Sequence, residues 1–134
     1  MRSYMARLGD FMFSIDTAAF QELQRRSSYD WKEVERIGRK PARQFTGPGS
    51  DTITLQGVIL PHYRGGLGQI SRMRALAGRG EPLPFIYCSE FAGQYLGDWC
   101  ILDITEGRSV FFHDGAPRKI EFSLTIGEYG EDLI

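Results

Sequence analysis

The sequence has little of what enzymes and metal centres are usually built from. Among 134 residues there are 2 histidines and 2 cysteines, and no metal-ligand cluster or nucleophile motif can be assembled from them. Cys88 and Cys100 lie on expected strands with no histidine close by in sequence, which favours two reduced thiols over a disulfide or a metal site. No apolar run approaches the ~20 residues that a bilayer span requires. The start of the chain also lacks the apolar segment of a secretory signal, so synthesis in the cytoplasm is expected. Net charge is only −1, which removes any overall basic footprint for nucleic acid. With 42% hydrophobic and 25% charged residues the composition is neither disordered nor membrane-like. The length predicts one domain over residues 1–134.

What is present is strand pattern. Gln44 to Leu60 contains Gly47-Pro48-Gly49-Ser50, where Pro48 fixes φ and Gly49 is free to take positive φ, so these residues predict a structural turn. Strict alternation follows: Thr52, Thr54 and Gln56 face one way, Ile53, Leu55 and Ile59 the other, with Gly57 as a site for a bulge or a close neighbour. That is an antiparallel strand covered on one side.

The remaining chain packs around it. Leu8 to Ile15 reads as a first strand, with Phe11, Phe13 and Ile15 on one side, and residues 16–19 as a turn. Phe20 to Arg25 fits a strand, though its mixed polarity also fits a helix. Ser27 to Arg43 offers only Tyr29, Trp31, Val34 and Ile37 as large apolar side chains, too few to bury the segment by itself. It predicts a long loop or an extended hairpin arm, of a length that in a compact domain points to a contact elsewhere. Leu67, Ile70, Met73, Leu76 and Ala77 recur at helical spacing, giving a helix over about 67–77 stopped by Gly78 and Gly80. Arg72, Arg74 and Arg79 on its other side are expected to complement the helix dipole. Phe85 to Cys88 and Gln94 to Thr105 are further strands, the second apolar on both faces. Asp114-Gly115 is a hairpin turn, and Ile120, Phe122, Leu124 and Ile126 alternate cleanly. An acidic tail over 127–134 is expected to be mobile. The predicted class is α+β: an antiparallel β-sandwich or small barrel of about six or seven strands with one flanking helix.

Catalytic readings are weak. His113 and Asp114 are adjacent in a turn and rarely face each other productively, and His62 stands alone. Gly65, Gly66 and Gly68 precede the helix without the lysine or the full spacing of a phosphate-binding loop. Asp10, Asp98 and Asp103 show no sign of converging.

The pieces also carry a resemblance. Phe20-Gln-Glu-Leu-Gln-Arg25, Ile37-Gly-Arg-Lys-Pro-Ala42, Gln44-Phe45, Gly47-Pro-Gly49, Asp51-Thr-Ile-Thr-Leu55 with Gly57, and Phe112-His-Asp-Gly-Ala-Pro-Arg-Lys-Ile-Glu-Phe122 follow one another in an order that resembles the GpU family of tail proteins from contractile-tailed phages. The resemblance covers about Leu8 to Leu124. It implies a structural virion component needed for tail assembly, with neither enzymatic activity nor cofactor. It further implies a tube-like β-barrel module closing into a homo-oligomeric ring, six-fold or else three-fold, that joins the tail tube to the baseplate hub. Tube, hub and tape-measure proteins are the implied partners, with no membrane and no sequence-specific nucleic acid. A virion tail or tail-like particle, assembled in the bacterial cytoplasm, is the implied location.

Ring subunits need edges or arms that are unsatisfied alone. The expected interface therefore comprises Tyr29, Trp31, Arg39, Lys40, Arg43 and Phe45, aromatic and arginine side chains being the usual energetic centres of interfaces. The competing account is that Trp31 and Phe45 complete the subunit's own core. Other readings remain: a terminator ring at the head-proximal end of the tube, a ligand-binding barrel with Phe85, Tyr87, Tyr95 and Trp99 lining a pocket, and a nucleic-acid module using the arm's arginines.

Overall fold

A glycine decides the first element. In the computed structural model, which describes residues 5–13, 20–59, 68–88, 93–111 and 117–130, Gly9 takes φ +58°. The run expected as one strand from Leu8 therefore splits into β1 (Ala6–Leu8) and β2 (Phe11–Phe13), paired antiparallel with Leu8 opposite Phe11. Gly9 and Asp10 form a two-residue hairpin turn of the kind that demands positive φ. The alternation of Phe11 and Phe13 is real, and both are buried, but it begins after the turn. Ile15 and the expected turn at 16–19 lie outside the described residues.

Phe20–Arg26 is a strand, β3. The chain continues into β4 (Tyr29–Val34), reverses, returns as β5 (Ala42–Pro48), and runs back along β3 as β6 (Thr52–Ile59). One long ribbon thus goes out and comes back. Its inner half belongs to the main sheet, while β4 and β5 form a separate two-stranded sheet.

The turn expected at Gly47, Pro48 and Gly49 is corrected by this ribbon. Gly47 and Pro48 end β5 opposite Asp30 and Tyr29, and proline is tolerated in such a place, at the end of a strand with a free edge. The positive φ, +132°, belongs to Gly47 and not to Gly49. Gly49 serves a different purpose: its N–H donates to the Ser28 carbonyl at 2.8 Å, and a Cβ there would run into the Ser28 hydroxyl. Along β6 the expected alternation holds, with Ile53, Leu55, Gly57 and Ile59 buried. The irregularity anticipated at Gly57 lies across from it, in β3 between Phe20 and Glu22, and Gly57 itself sits between Phe20 and Phe122.

The second half supplies α1 (Gln69–Gly78), β7 (Leu83–Cys88), β8 (Gly93–Phe111) and β9 (Pro117–Glu128). The main sheet has seven antiparallel strands in the order β2-β1-β7-β8-β9-β6-β3. It curls until the Phe13 ring of one edge strand meets the Phe20 ring of the other, centroids 5.8 Å apart. The enclosed core includes Phe13, Ile53, Leu55, Phe85, Trp99, Leu124 and Ile126, all essentially inaccessible. Ile70, Met73 and Leu76 attach α1 to it.

The helix starts at Gln69; Leu67 lies outside the described residues. Gly78 is its last residue, Arg79 its cap, and Gly80 takes the left-handed φ of +67° that ends it. Arg72 and Arg74 do not serve the dipole as expected, because the last turn itself holds no basic residue; only Arg79, the cap, stands at the helix's C-terminal end. Arg72 lies over the Phe11 ring and Arg74 binds the Glu106 carboxylate at 3.0 Å. Both are turned sideways, onto the sheet. The C-terminal segment is also more ordered than expected at its start: Gly127 and Glu128 belong to β9, and the Tyr129 N–H donates to the Asp98 carbonyl at 3.0 Å.

Candidate assembly interface

Register places the expected interface residues on the arm. In β4 and β5 Trp31 stands opposite Phe45 and Glu33 opposite Arg43, and directly opposed residues share a face. Tyr29 lies two residues before Trp31 on β4, opposite Pro48 and beyond a shift in register between Asp30 and Trp31. The Trp31 and Phe45 rings touch at 5.0 Å with a 55° tilt. They nonetheless remain open to solvent: Tyr29 is 62%, Trp31 55% and Phe45 47% exposed. Trp31 and Phe45 therefore do not complete the subunit's own core. β4 and β5 pack extensively only on each other, and a lone two-stranded sheet is marginal in water.

The tip is closed by a side chain of its own. Arg36 donates through Nε and Nη2 to the Lys40 carbonyl at 3.1 and 2.8 Å, while Gly38 takes φ +72°. Arg39 and Lys40 extend from this turn, and Ile37 is wholly exposed there. Sequence reasoning passed over Ile37 as one more apolar residue in a polar segment; its neighbour Gly38, a turn former, was the available signal.

The arm's base, in contrast, is tied to the sheet. Arg25 donates through Nε and Nη2 to Asp51 Oδ2 at 3.1 and 2.8 Å, and its guanidinium lies 5.5 Å from the centre of the buried Trp99 ring. The Asp51 carbonyl accepts the Glu128 N–H at 3.0 Å. Hydrogen bonding from Arg25, helped by the Ser27 side chain and by the charge of Arg25, holds the Asp51 carboxyl below the usual aspartate range against a smaller opposing effect of burial. A depressed carboxyl stabilises the fold above the unfolded-state pKa of ~3.9, and that contribution vanishes as the pH falls through the lowered folded value. Asp51→Asn is accordingly expected to lower stability at pH 7 by less than about 1 kcal/mol, Arg25 being partly exposed, and to flatten the acid limb of stability against pH. Urea titrations between pH 2.5 and 7 check it; an unchanged acid limb would refute the role given to this pair.

The other anticipated features do not gather into a site. Phe85 and Trp99 are buried in the core, whereas Tyr87 and Tyr95 stand at the surface, so the four do not line one pocket. The Tyr95 hydroxyl donates to Asp98 Oδ1 at 2.7 Å, and Asp103 lies exposed away from them. Cys88 and Cys100 are free thiols. Asp114 and Gly115, like His62, His113, Gly65 and Gly66, lie outside the described residues. Among the described residues no group of His, Cys, Asp and Glu could hold a metal ion, and no helix is long and apolar enough to cross a membrane.

The architecture recurs in known proteins. The fold is shared, at a TM-score of 0.60 and 17% identity over 96% of this chain and 92% of the other, with a component of the virion of a native gene transfer agent (GTA) particle. A chain in the tail of an empty GTA particle with C6 symmetry scores 0.59 at 16% identity, with the same coverage of both chains. The SPP1 Dit protein, from a hub adsorption apparatus of phages that infect Gram-positive bacteria, scores 0.64 at 13% identity over 94% of this chain and 49% of its own. The fold is thus one shared with chains of GTA particles and with a phage hub protein. Residues 9–131 match the Phage P2 GpU family, and the chain belongs to that family. It is also 29% identical over 133 residues to a protein of Halomonas phage phiHAP-1 named "Probable tape measure protein", covering 98% of this chain but only 15% of that relative.

Proposed function

We propose that this protein is a non-enzymatic, ring-forming tail subunit that joins the tail tube to the baseplate hub. The observation that carries the proposal is the arm: an exposed aromatic stripe of Tyr29, Trp31 and Phe45 on a two-stranded sheet with little support from its own subunit. Isolated apolar side chains at a surface need no explanation, but a touching aromatic pair with a third exposed ring nearby in the strand, on a ribbon with little support from its own subunit, marks a binding surface. The arm lies against a neighbouring copy, with Arg39, Lys40 and Arg43 pairing to acidic groups there. The six-fold tail of the GTA particle supports six copies per ring. Likeness to a hub protein supports the hub-proximal end of the tube over the head-proximal end.

A tape-measure partner has separate support. In phiHAP-1 a segment like this chain belongs to the same polypeptide as a much longer remainder, an arrangement that keeps the two together throughout assembly. The test of the whole reading is absolute mass in solution, for the purified protein alone and mixed with its tube protein. A species of six subunits, formed alone or on the tube, is expected. A monomer in both conditions, together with infectious progeny after deletion of the gene, would refute it.

A further inference from the structure

We propose that the arm tip of one copy seats in the groove between α1 and β8 of the next copy. This rests on the reading of the arm as a contact between subunits, and it names the surface that receives it. The tip presents Ile37, wholly exposed, flanked by the cations Arg39 and Lys40, neither of which has an ion-pair partner among the described residues. An isoleucine held out by a closed turn, with Arg36 donating to the Lys40 carbonyl, is a preorganised apolar plug followed in the chain by the two cations and preceded by the carboxylate of Glu35. Little of its order has to be supplied on binding.

The receiving surface has the complementary chemistry. A groove of about 510 Å³ runs between helix and sheet, lined by Arg74, Ala77, Gly78, Ile101, Leu102, Asp103 and Ile104, with the charge of Arg74 already met by the Glu106 carboxylate at 3.0 Å. The register of β8 against β9 shifts between Ile101 and Asp103, and a bulge of this kind re-aims the side chain at its centre. Leu102 is left 60% exposed, lying over Gly127, where any side chain would collide with it. Asp103 beside it is exposed and has no ion-pair partner among the described residues. Apolar floor and free carboxylate match apolar plug and free cations.

A second groove, on the sheet, matches less well. It runs across β3, β6, β9 and β8 and contains Glu106 and Glu121. Glu106 already binds Arg74 and Arg108, and Glu121 already binds Lys119. Arm cations entering there would have to displace existing partners, whereas Asp103 has none to lose. The helix-side groove also suits the reach of the arm, since the six residues of β4 alone span about 20 Å. Plug and socket are different surfaces, so the contact repeats head to tail and closes into a ring when the rotation permits.

The test places Ile37→Cys and Leu102→Cys together in a chain whose own thiols are removed by Cys88→Ser and Cys100→Ser. Mild oxidation is expected to give a ladder of disulfide-linked copies ending at the full ring, with no ladder from either cysteine alone. A second variant covers the case in which this one fails to fold. Asp103→Lys is expected to raise the concentration needed for assembly by about ten-fold or more, and Arg39→Glu with Lys40→Glu in the same chain to restore it to within about three-fold. An assembled ring of normal mass with no cross-link and no response to the charge exchange overturns the socket while leaving the ring reading intact. A parent protein that stays monomeric at every concentration, alone and with its tube protein, overturns both.

Discussion

Trp31→Ala combined with Phe45→Ala is expected to yield a folded subunit that no longer assembles. Central aromatic residues of interfaces commonly lose 2 kcal/mol or more on truncation, and each 1.4 kcal/mol is a factor of ten. Removing two therefore shifts the assembly midpoint by about a thousand-fold or more. The subunit itself loses only the mutual contact of the two rings, about 0.5 to 1.5 kcal/mol and confined to the arm. Its main thermal transition should be preserved. Mass in solution against concentration, with a melting curve of the same sample, separates the two effects. A double variant that assembles at the parent's concentration would deprive the aromatic stripe of its assigned role.

Trp99→Ala should do the reverse. This ring is wholly buried, its Nε1 donates to the Leu96 carbonyl at 3.1 Å, and the Arg25 guanidinium stacks over it. Large-to-small replacement of a buried aromatic costs about 3 to 5 kcal/mol, a large share of the stability of an ordinary domain. It also removes the platform under Arg25, so the arm's base loosens as the core opens. The urea midpoint should fall steeply, and assembly should fail because little folded subunit remains. A loss below about 1 kcal/mol would show that Trp99 is not where the fold places it. The chain's 2 tryptophans thus predict opposite signatures: one variant folded but solitary, the other destabilised outright.

The main sheet was legible wherever alternation was strict. Ile53, Leu55 and Ile59, and again Ile120, Phe122, Leu124 and Ile126, are buried as their spacing required, since a half-covered strand must keep period two or expose its core face. The pattern failed where conformation depends on a single φ. Gly9 cut a strand that apolar spacing made look continuous, and Gly47 took the positive φ expected of Gly49. The arm was harder, because the aromatic pairing of Trp31 with Phe45 spans two segments that share no local pattern. Exposure could not be inferred either: an aromatic stripe reads the same whether it meets its own core or another molecule. Nothing in the helix sequence distinguished arginines serving its dipole from ones reaching across to Glu106 and Phe11.

The ribbon also determines how load passes through the molecule. Because β4 and β5 continue directly from β3 and β6, a tug on the arm tip is delivered along the strand axes into the β6 and β9 ladder, where residues from Thr52 to Ile59 are paired in unbroken register. Those backbone bonds lie across the direction of pull. They would have to slide together and could not unzip one by one, so a load applied through the ribbon meets the mechanically strongest arrangement a β-ladder offers.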